Sequence, residues 1–407
     1  MVRRPKTAIN LFTIHYSQLP THYHYIITGA GLSGSSLLIR MISEPYFRDK
    51  KILVIDQSPK TENDRTWCFW EKEAGLFEPI IHHSWDKVNF YAKAFSNTLT
   101  LSPYQYKMIR GIDFYTYIKN EINNHSNIEW RNEKVKSITN TEDAATVVLE
   151  NEIFTCDYLF NSILFKDVLT PTLKARGASG GYLLLQHFKG FLIQTKEPVF
   201  DPSAATFMDF RVSQEHGTTF MYVLPTSTTT ALVEYTLFTE KLLPEKMYKA
   251  ALQEYIGSFL HITDYTIAHE EFGVIPMTNR HFPLQDGRIV HMGVAGGQVK
   301  GSSGYAFQFI QKRTAKIIAS LIQKGHPFVQ RSIGDKKFHL YDSVLLNVLY
   351  NRKMKGDEIF TRIFQKNPAE RVLRFLDNES TLWEDLQIMQ SVPTGIFLPA
   401  ALQELIG

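Results

Sequence analysis

The tightest constraint on this chain is a set of glycines placed where a strand must become a helix: Tyr25-Ile26-Ile27-Thr28-Gly29-Ala30-Gly31-Leu32-Ser33-Gly34. The residues up to Ile27 are apolar and β-branched, as in a strand buried on both faces of a parallel sheet. Gly29 permits the tight turn, Gly31 lets a pyrophosphate approach the backbone, and Gly34 lets the helix lie close to the strand. The free N–H groups at the start of that helix then face an anion. A second apolar strand, Ile52 to Ile55, delivers Asp56, 22 residues beyond Gly34 and at the separation where a carboxylate meets a ribose hydroxyl. Strand, glycine turn, helix and acid together make a dinucleotide-binding unit, where the glycines alone would not. Asp56 favours a ribose without a 2′-phosphate; the motif does not distinguish FAD from NAD.

At 407 residues the chain exceeds one compact core, so two or three structural units are expected. A net charge of +3 is too small to imply a nucleic-acid partner. Two cysteines, Cys68 and Cys156, cannot make a disulfide framework and suit a reducing compartment. No Cys or His spacing suggests a metal, and no apolar run reaches the ~18 residues of a membrane span. Residues 1–22, with Arg3, Arg4, Lys6 and a short apolar piece from Ala8 to Ile14, make a poor secretion signal and read as a ragged extension. The 28 Phe, 19 Tyr and 5 Trp fit either an aromatic-rich core or walls around a large apolar or cationic ligand.

Beyond Asp56, a polar loop runs into Thr66-Trp67-Cys68-Phe69-Trp70, and strands from Val88 to Leu101 follow. Asp113 to Asn123 reads as a helix. Ile128 to Ile138, Ala145 to Leu149 and Cys156 to Phe160 read as strands that complete a nucleotide-binding sheet. From Tyr182 to Ile275 the pattern is strand-rich: Leu183 to Phe188 and Gly190 to Ile193 as two strands, then Thr206 to Phe210, and a hairpin of Thr218–Leu224 and Thr230–Thr236. A helix from Glu245 to Phe259 interrupts this antiparallel sheet. A second glycine-rich turn, Gly293-Val294-Ala295-Gly296-Gly297 through Gly301 and Gly304, feeds a long helix from Ala306 to Gln323. From Phe328 onward the pattern is helical, with Pro393 and Pro399 expected to break the last stretch.

The chain resembles the flavin-dependent lycopene cyclases of the bacterial and plant type over nearly all of residues 23 to 407. The resemblance rests on the Gly29–Gly34 fingerprint, Asn63-Asp64-Arg65-Thr66-Trp67-Cys68-Phe69-Trp70 and Tyr106-Lys107-Met108-Ile109-Arg110-Gly111. It also rests on Phe207-Met208-Asp209-Phe210, Tyr222-Val223-Leu224-Pro225, Leu232-Val233-Glu234-Tyr235-Thr236 and the second loop with Ser303-Gly304-Tyr305. Gly301 stands where the family often has proline, and Leu38 where flavin folds usually keep a small residue.

The resemblance implies an α/β fold. A FAD-binding Rossmann-type domain like that of flavoprotein hydroxylases would take residues 23–80, 104–170 and 285–327. An antiparallel substrate sheet would take 81–103 and 171–284, and a helical C-terminal region 328–407. It further implies acid-catalysed, non-redox cyclisation of lycopene, or a related linear carotenoid, to β-ionone rings. FAD in its reduced form would be the cofactor, with NAD(P)H as electron donor.

Alkene protonation needs an acid in a dry site. Glu234, between apolar neighbours, is the candidate, against the alternative of an exposed strand residue; Asp209 is the alternative or assisting acid. Gly29, Gly31, Gly34, Asp56, Arg65, Arg110, Gly293, Gly296, Gly297 and Gly304 are the cofactor candidates. Trp67, Trp70, Tyr235 and Tyr305 are the substrate candidates, the first three able to attract a cation and Tyr305 also able to pack on the flavin. Asp64-Arg65 also reads as a structural ion pair, Arg110 as a cap, Tyr305 as core filling, and Cys68 as a packed thiol rather than a flavin link. A hydrocarbon substrate held in lipid implies docking on a membrane surface from the cytoplasmic side. The other readings are a flavin monooxygenase or prenyl reductase of the same fold, and a carotenoid-binding protein without activity.

Overall fold

The computed structural model describes residues 20–165 and 181–406. Most of the extension over residues 1–22 and the expected boundary at 170/171 lie outside them. The first strand already begins at Thr21 and runs to Thr28. It pairs in parallel with Ile153–Asn161 on one side and Ile52–Ile55 on the other. Ile128–Arg131 and Ile289–His291 extend this parallel core outward. Residues of the four-residue strand Ile52–Ile55 are all buried, which is why its sequence is apolar without alternation. The helix Leu32–Ser43 leaves the first strand through the glycine turn and packs against the helix Phe307–Lys324. A discontinuous sheet results, because its last parallel strand comes from residues 289–291.

A second sheet has seven strands in the order Thr266–Thr278, Leu183–Gln194, Thr230–Thr239, Thr218–Pro225, Ala204–Asp209, Lys87–Ala92 and Phe95–Thr100. The expected pair of short strands around Lys189 is one twelve-residue strand, Leu183–Gln194, passing straight through Gly190. Ile128 to Ile138 is not one strand: Ile128–Arg131 and Ser137–Asn140 are separate. A small third sheet, Thr66–Glu71, Gln105–Arg110 and His83–Trp85, lies between the two larger ones in the chain's packing.

Helices cover both faces of the seven-stranded sheet. The helix Glu245–Ser258 buries Tyr248, Leu252, Tyr255 and Ile256 against Met221, Val233, Tyr235 and Leu237. On the other face, Phe207, Phe220, Tyr222, Leu232 and Phe238 join one core with Phe360 and Phe364 of the helix Gly356–Lys366 and Val372 of Ala369–Leu376. Pro393 separates the last two helices, Leu382–Gln390 and Thr394–Ile406. Pro399, by contrast, lies inside the terminal helix: it is the sixth residue of Thr394–Ile406, and neighbouring Ala400 is fully buried. Packing there outweighs the hydrogen bond that a proline forfeits.

Candidate active site

The glycine turn is built as close contact requires. A Cβ on Gly34 would sit 2.0 Å from the Gly29 carbonyl oxygen and 2.9 Å from Ile27 Cγ2, and Gly29 has φ +90°. A Cβ on Gly31 would meet nothing within 4 Å, so this backbone opens onto free space. Asp56 is held beside it: its Oδ2 accepts from the Ala30 N–H at 2.6 Å and lies 3.4 Å from Lys60 Nζ, while Oδ1 accepts from the Ser58 N–H at 2.8 Å. The second glycine loop arrives at the same place. A Cβ on Gly293 would stand 3.2 Å from Ser33 Cβ, and the Gly293 N–H donates to Gln298 Oε1 at 2.7 Å. Gly296 packs on the His291 carbonyl, where a Cβ would be 2.3 Å away, and Gly297 and Gly304 take positive φ.

Three polar atoms along these loops, Ser33 Oγ, Gln298 Nε2 and Ser303 Oγ, are buried without a protein partner. Buried polar groups are otherwise almost always paired. The cradle therefore fits a dinucleotide such as FAD, which would offer these atoms the hydrogen-bond partners they lack.

On the seven-stranded sheet, side chains alternate between faces. Leu232, Glu234, Thr236 and Phe238 face the C-terminal helices, whereas Val233, Tyr235 and Leu237 face the helix Glu245–Ser258. Glu234 stands directly opposite Tyr222 on one neighbouring strand and Gly190 on the other. It keeps a little accessible surface as a residue, yet protein encloses its carboxyl group. Burial first, and then the neighbouring Glu271 carboxyl, push Glu234 up to about 8, against a hydrogen bond from Thr236 Oγ1 to Glu234 Oε1 at 2.7 Å. Burial likewise holds Glu271 above the usual carboxylate range, although Thr66 Oγ1 donates to its Oε2 at 2.8 Å. A carboxylic acid in this setting keeps its proton near neutral pH.

An aromatic group adjoins Glu234. Tyr222 lies edge-on to Phe207 (6.0 Å between centroids), and Tyr305 lies edge-on to Trp70 at 4.8 Å. The hydroxyls of Tyr222 and Tyr305 are 3.4 Å apart. Trp70 and Tyr305 thus sit on the side of the sheet that Glu234 faces. Cys68 belongs here too, its thiol pushed up by burial, with Tyr106 as hydrogen-bond partner. It is a packed thiol in these surroundings.

Five candidates stand elsewhere. Tyr235, next to Glu234 in sequence, necessarily points to the opposite face and packs on Tyr248 at 6.3 Å. Trp67 is divided from Trp70 by the same alternation and packs edge-on to Phe114 (5.1 Å) and Tyr115 (6.0 Å) in the nucleotide domain. Asp209, opposite Met221, lies on the helix 245–258 side. Arg211 Nε donates to its Oδ1 at 2.9 Å, Arg211 Nη2 to its Oδ2 at 2.6 Å, and the Tyr255 hydroxyl to Oδ2 at 2.7 Å. So placed, Asp209 ties its strand to the helix Glu245–Ser258, on the face away from Glu234. Arg110 is bound in a forked pair by Asp113 (2.7 and 2.8 Å), one turn into the helix Gly111–Ile122. Arg65 and Asp64 are 4.0 Å apart and half-exposed; the Arg65 carbonyl accepts from the Gly111 N–H at 2.6 Å.

Two residues escaped the sequence reading, Glu271 and Gly190. The signal for Glu271 was the pair Glu270-Glu271 in an otherwise alternating strand: Glu270 meets Lys189 at 2.6 Å on one face, which leaves Glu271 turned to the other.

Residues 25–401 match the family described as lycopene cyclase protein. The chain is 24% identical over 418 aligned positions to lycopene beta-cyclase from Pantoea ananas, covering 95% of this chain and 98% of that protein. Among solved structures it is similar to a flavoprotein/dehydrogenase from Cytophaga hutchinsonii, with a TM-score of 0.65, 11% identity, and 94% and 99% of the two chains covered. It is also similar to a geranylgeranyl bacteriochlorophyll reductase-like protein from Thermoplasma acidophilum, with a TM-score of 0.59, 11% identity, and 95% and 99% covered. At such identities these two structures speak to the fold alone, and that fold is the α/β architecture of flavin-dependent enzymes.

Proposed function

The chain belongs to the lycopene cyclase family, and from that premise we propose that it closes the open ends of lycopene, or a related linear carotenoid, into β-ionone rings by proton transfer from Glu234. One observation carries this reading: Glu234 is enclosed, held up to about 8 by burial and by Glu271, and turned toward an aromatic group. Protonating a terminal alkene needs an acid that is still neutral at the working pH and that water cannot level. The proton goes from Glu234 to the terminal double bond and leaves a tertiary cation. A neighbouring alkene of the same chain attacks it, so one carbon–carbon bond forms. The carboxylate then takes a proton from the new ring. No electrons are gained or lost by the substrate.

Trp70, Tyr222 and Tyr305 present ring faces and edges beside this path, and a desolvated cation over such a ring is favoured by about 2 kcal/mol. They also exclude water that would otherwise trap the cation. FAD fits the cradle of Gly29, Gly31, Gly34, Ser33 and Asp56 with the loop Gly293–Gly297 and Gly304. Held there in its reduced form, with NAD(P)H as electron donor, it would supply negative charge that favours a developing cation.

Lipid holds the substrate, so the protein docks on a membrane surface. No helix of the described residues is long and apolar enough to span one. The last two helices instead leave Leu382, Trp383, Leu386, Leu398, Leu402 and Leu405 exposed, an apolar face suited to the headgroup boundary.

Expression in a lycopene-accumulating host tests the reading. Cyclic carotenes are expected in pigment extracts. Unchanged lycopene with cofactor-loaded protein present, or a product with saturated bonds, overturns it.

A further inference from the structure

Glu234 has a carboxyl neighbour that a lone proton donor does not need, and the sheet is shaped to bring the two together. Glu234 and Glu271 lie on strands that are not adjacent. The strand Leu183–Gln194 runs between them, and its Gly190 is the register partner of both. Two strands apart, their backbones are separated by roughly 9–10 Å. The side chains meet only because the residue between them has none. A Cβ at Gly190 would stand 2.9 Å from Glu271 Cγ, 3.3 Å from Glu271 Oε1 and 3.0 Å from Leu232 Cδ1.

The Glu234 carboxyl donates a hydrogen bond to that of Glu271, and each also accepts from one hydroxyl: Thr236 for Glu234 at 2.7 Å, and Thr66 for Glu271 at 2.8 Å. Thr66 comes from the small sheet, so the pair is clamped from two sides. Neither carboxyl forms an ion pair among the described residues; Arg65 and His269 act on Glu271 only through space. Two carboxyl groups this close and this dry do not both ionise. One proton stays between them.

We propose that Glu234 and Glu271 work as a proton-sharing pair, in which Glu271 is the positioning residue that keeps the transferable proton on Glu234, and that Gly190 exists to let the pair form. This rests on the cyclase reading above and extends it. When the proton moves to the alkene, the pair carries two negative charges beside one positive carbon. When the ring gives its proton back, the shared bond is restored and the site is reset, with one proton out and one proton in.

The test uses the purified full chain loaded with reduced FAD, with lycopene in liposomes, and reads kcat/KM across pH. The wild type is expected to lose activity on the alkaline side near the value of about 8 that the pair imposes on Glu234. In Glu271→Gln the alkaline limb moves to lower pH by about one unit or more, a tenfold change in protonation. Gly190→Ala keeps both acids but crowds Glu271 away, and is expected to move the limb in the same direction. An unmoved limb in both variants, with only kcat or KM lowered, makes Glu271 structural and overturns the proposal.

A second reading needs no turnover. Infrared spectra of the wild type at neutral pH are expected to contain a protonated carboxyl band that Glu234→Gln removes and that shifts in Gly190→Ala. Absence of that band overturns the pair even if cyclic product forms. Its presence without any cyclic product leaves the pair standing and condemns the cyclase reading instead.

Discussion

Glu234 and Asp209 are buried acids on the same sheet, two strands apart, and they have opposite fates. Asp209 faces the helix Glu245–Ser258 and receives a guanidinium fork from Arg211 and a hydroxyl from Tyr255. Arg211 in turn lies over the Tyr91 ring at 4.3 Å. Glu234 faces the opposite way, receives one hydroxyl, and has another carboxyl where Asp209 has its cation. Asp209 is fully buried, and protein encloses the Glu234 carboxyl although the residue keeps some accessible surface. Only Asp209 is given a guanidinium partner, whereas Glu234 is held up to about 8 by burial and by the Glu271 carboxyl. Burial raises a carboxyl group's pKa most where no cation offsets it.

The contrast can be broken most sharply at Glu234. Glu234→Gln is expected to cut ring formation by about 10²–10⁴-fold, the usual worth of a positioned general acid, while the protein remains folded and binds FAD. Asp209→Asn has the reverse pattern. It is expected to lower unfolding free energy by about 3 kcal/mol, at the mild end for a broken buried pair because Arg211 can reach solvent, with turnover per folded molecule unchanged. Denaturant midpoints with pigment assays on the same preparations separate the two; a silent Glu234→Gln beside an inactive Asp209→Asn would exchange their roles.

pH dependence sharpens the difference further. Glu234 is raised in the folded protein from about 4.5 to about 8, so the folded state binds more protons than the unfolded state between those values. Its favourable contribution is complete below about 4.5 and is lost as pH rises through about 8. Urea midpoints of the wild type are expected to fall over that window, and Glu234→Gln is expected to flatten the fall. The smallest effect belongs to the two tyrosines. Tyr305→Phe removes the hydroxyl near Tyr222 and is expected to cost less than about tenfold in kcat/KM, whereas Tyr235→Phe, on the other face, leaves kcat/KM unaltered. Equal effects would mean that sheet alternation does not define the site.

Much of this was legible beforehand. The turn at Gly29–Gly34 and the strand leading to Asp56 can adopt few other structures, because glycine spacing and an unbroken apolar run are local properties of the chain. Glu234 was legible for a similar reason: an acid among apolar neighbours in a strand is conspicuous. Tyr235 was misjudged on a point that was local too, since neighbours in a strand cannot share a face. The break assigned near Lys189 was a misreading of Gly190. Glycine there leaves room for a distant side chain and the strand continues through it.

Residue order alone therefore decided the dinucleotide cradle, the existence of a strand-rich second unit and the presence of an isolated acid within it. Which acid meets a second carboxyl was decided only when strands 230–239, 183–194 and 266–278 came into register. That set Glu271 across Gly190 from Glu234, whereas Arg211 reaches Asp209 from only two residues along the chain. The physical reason is that a carboxyl group's charge depends on what surrounds it in space, and for Glu234 the decisive neighbour lies 37 positions further along the chain.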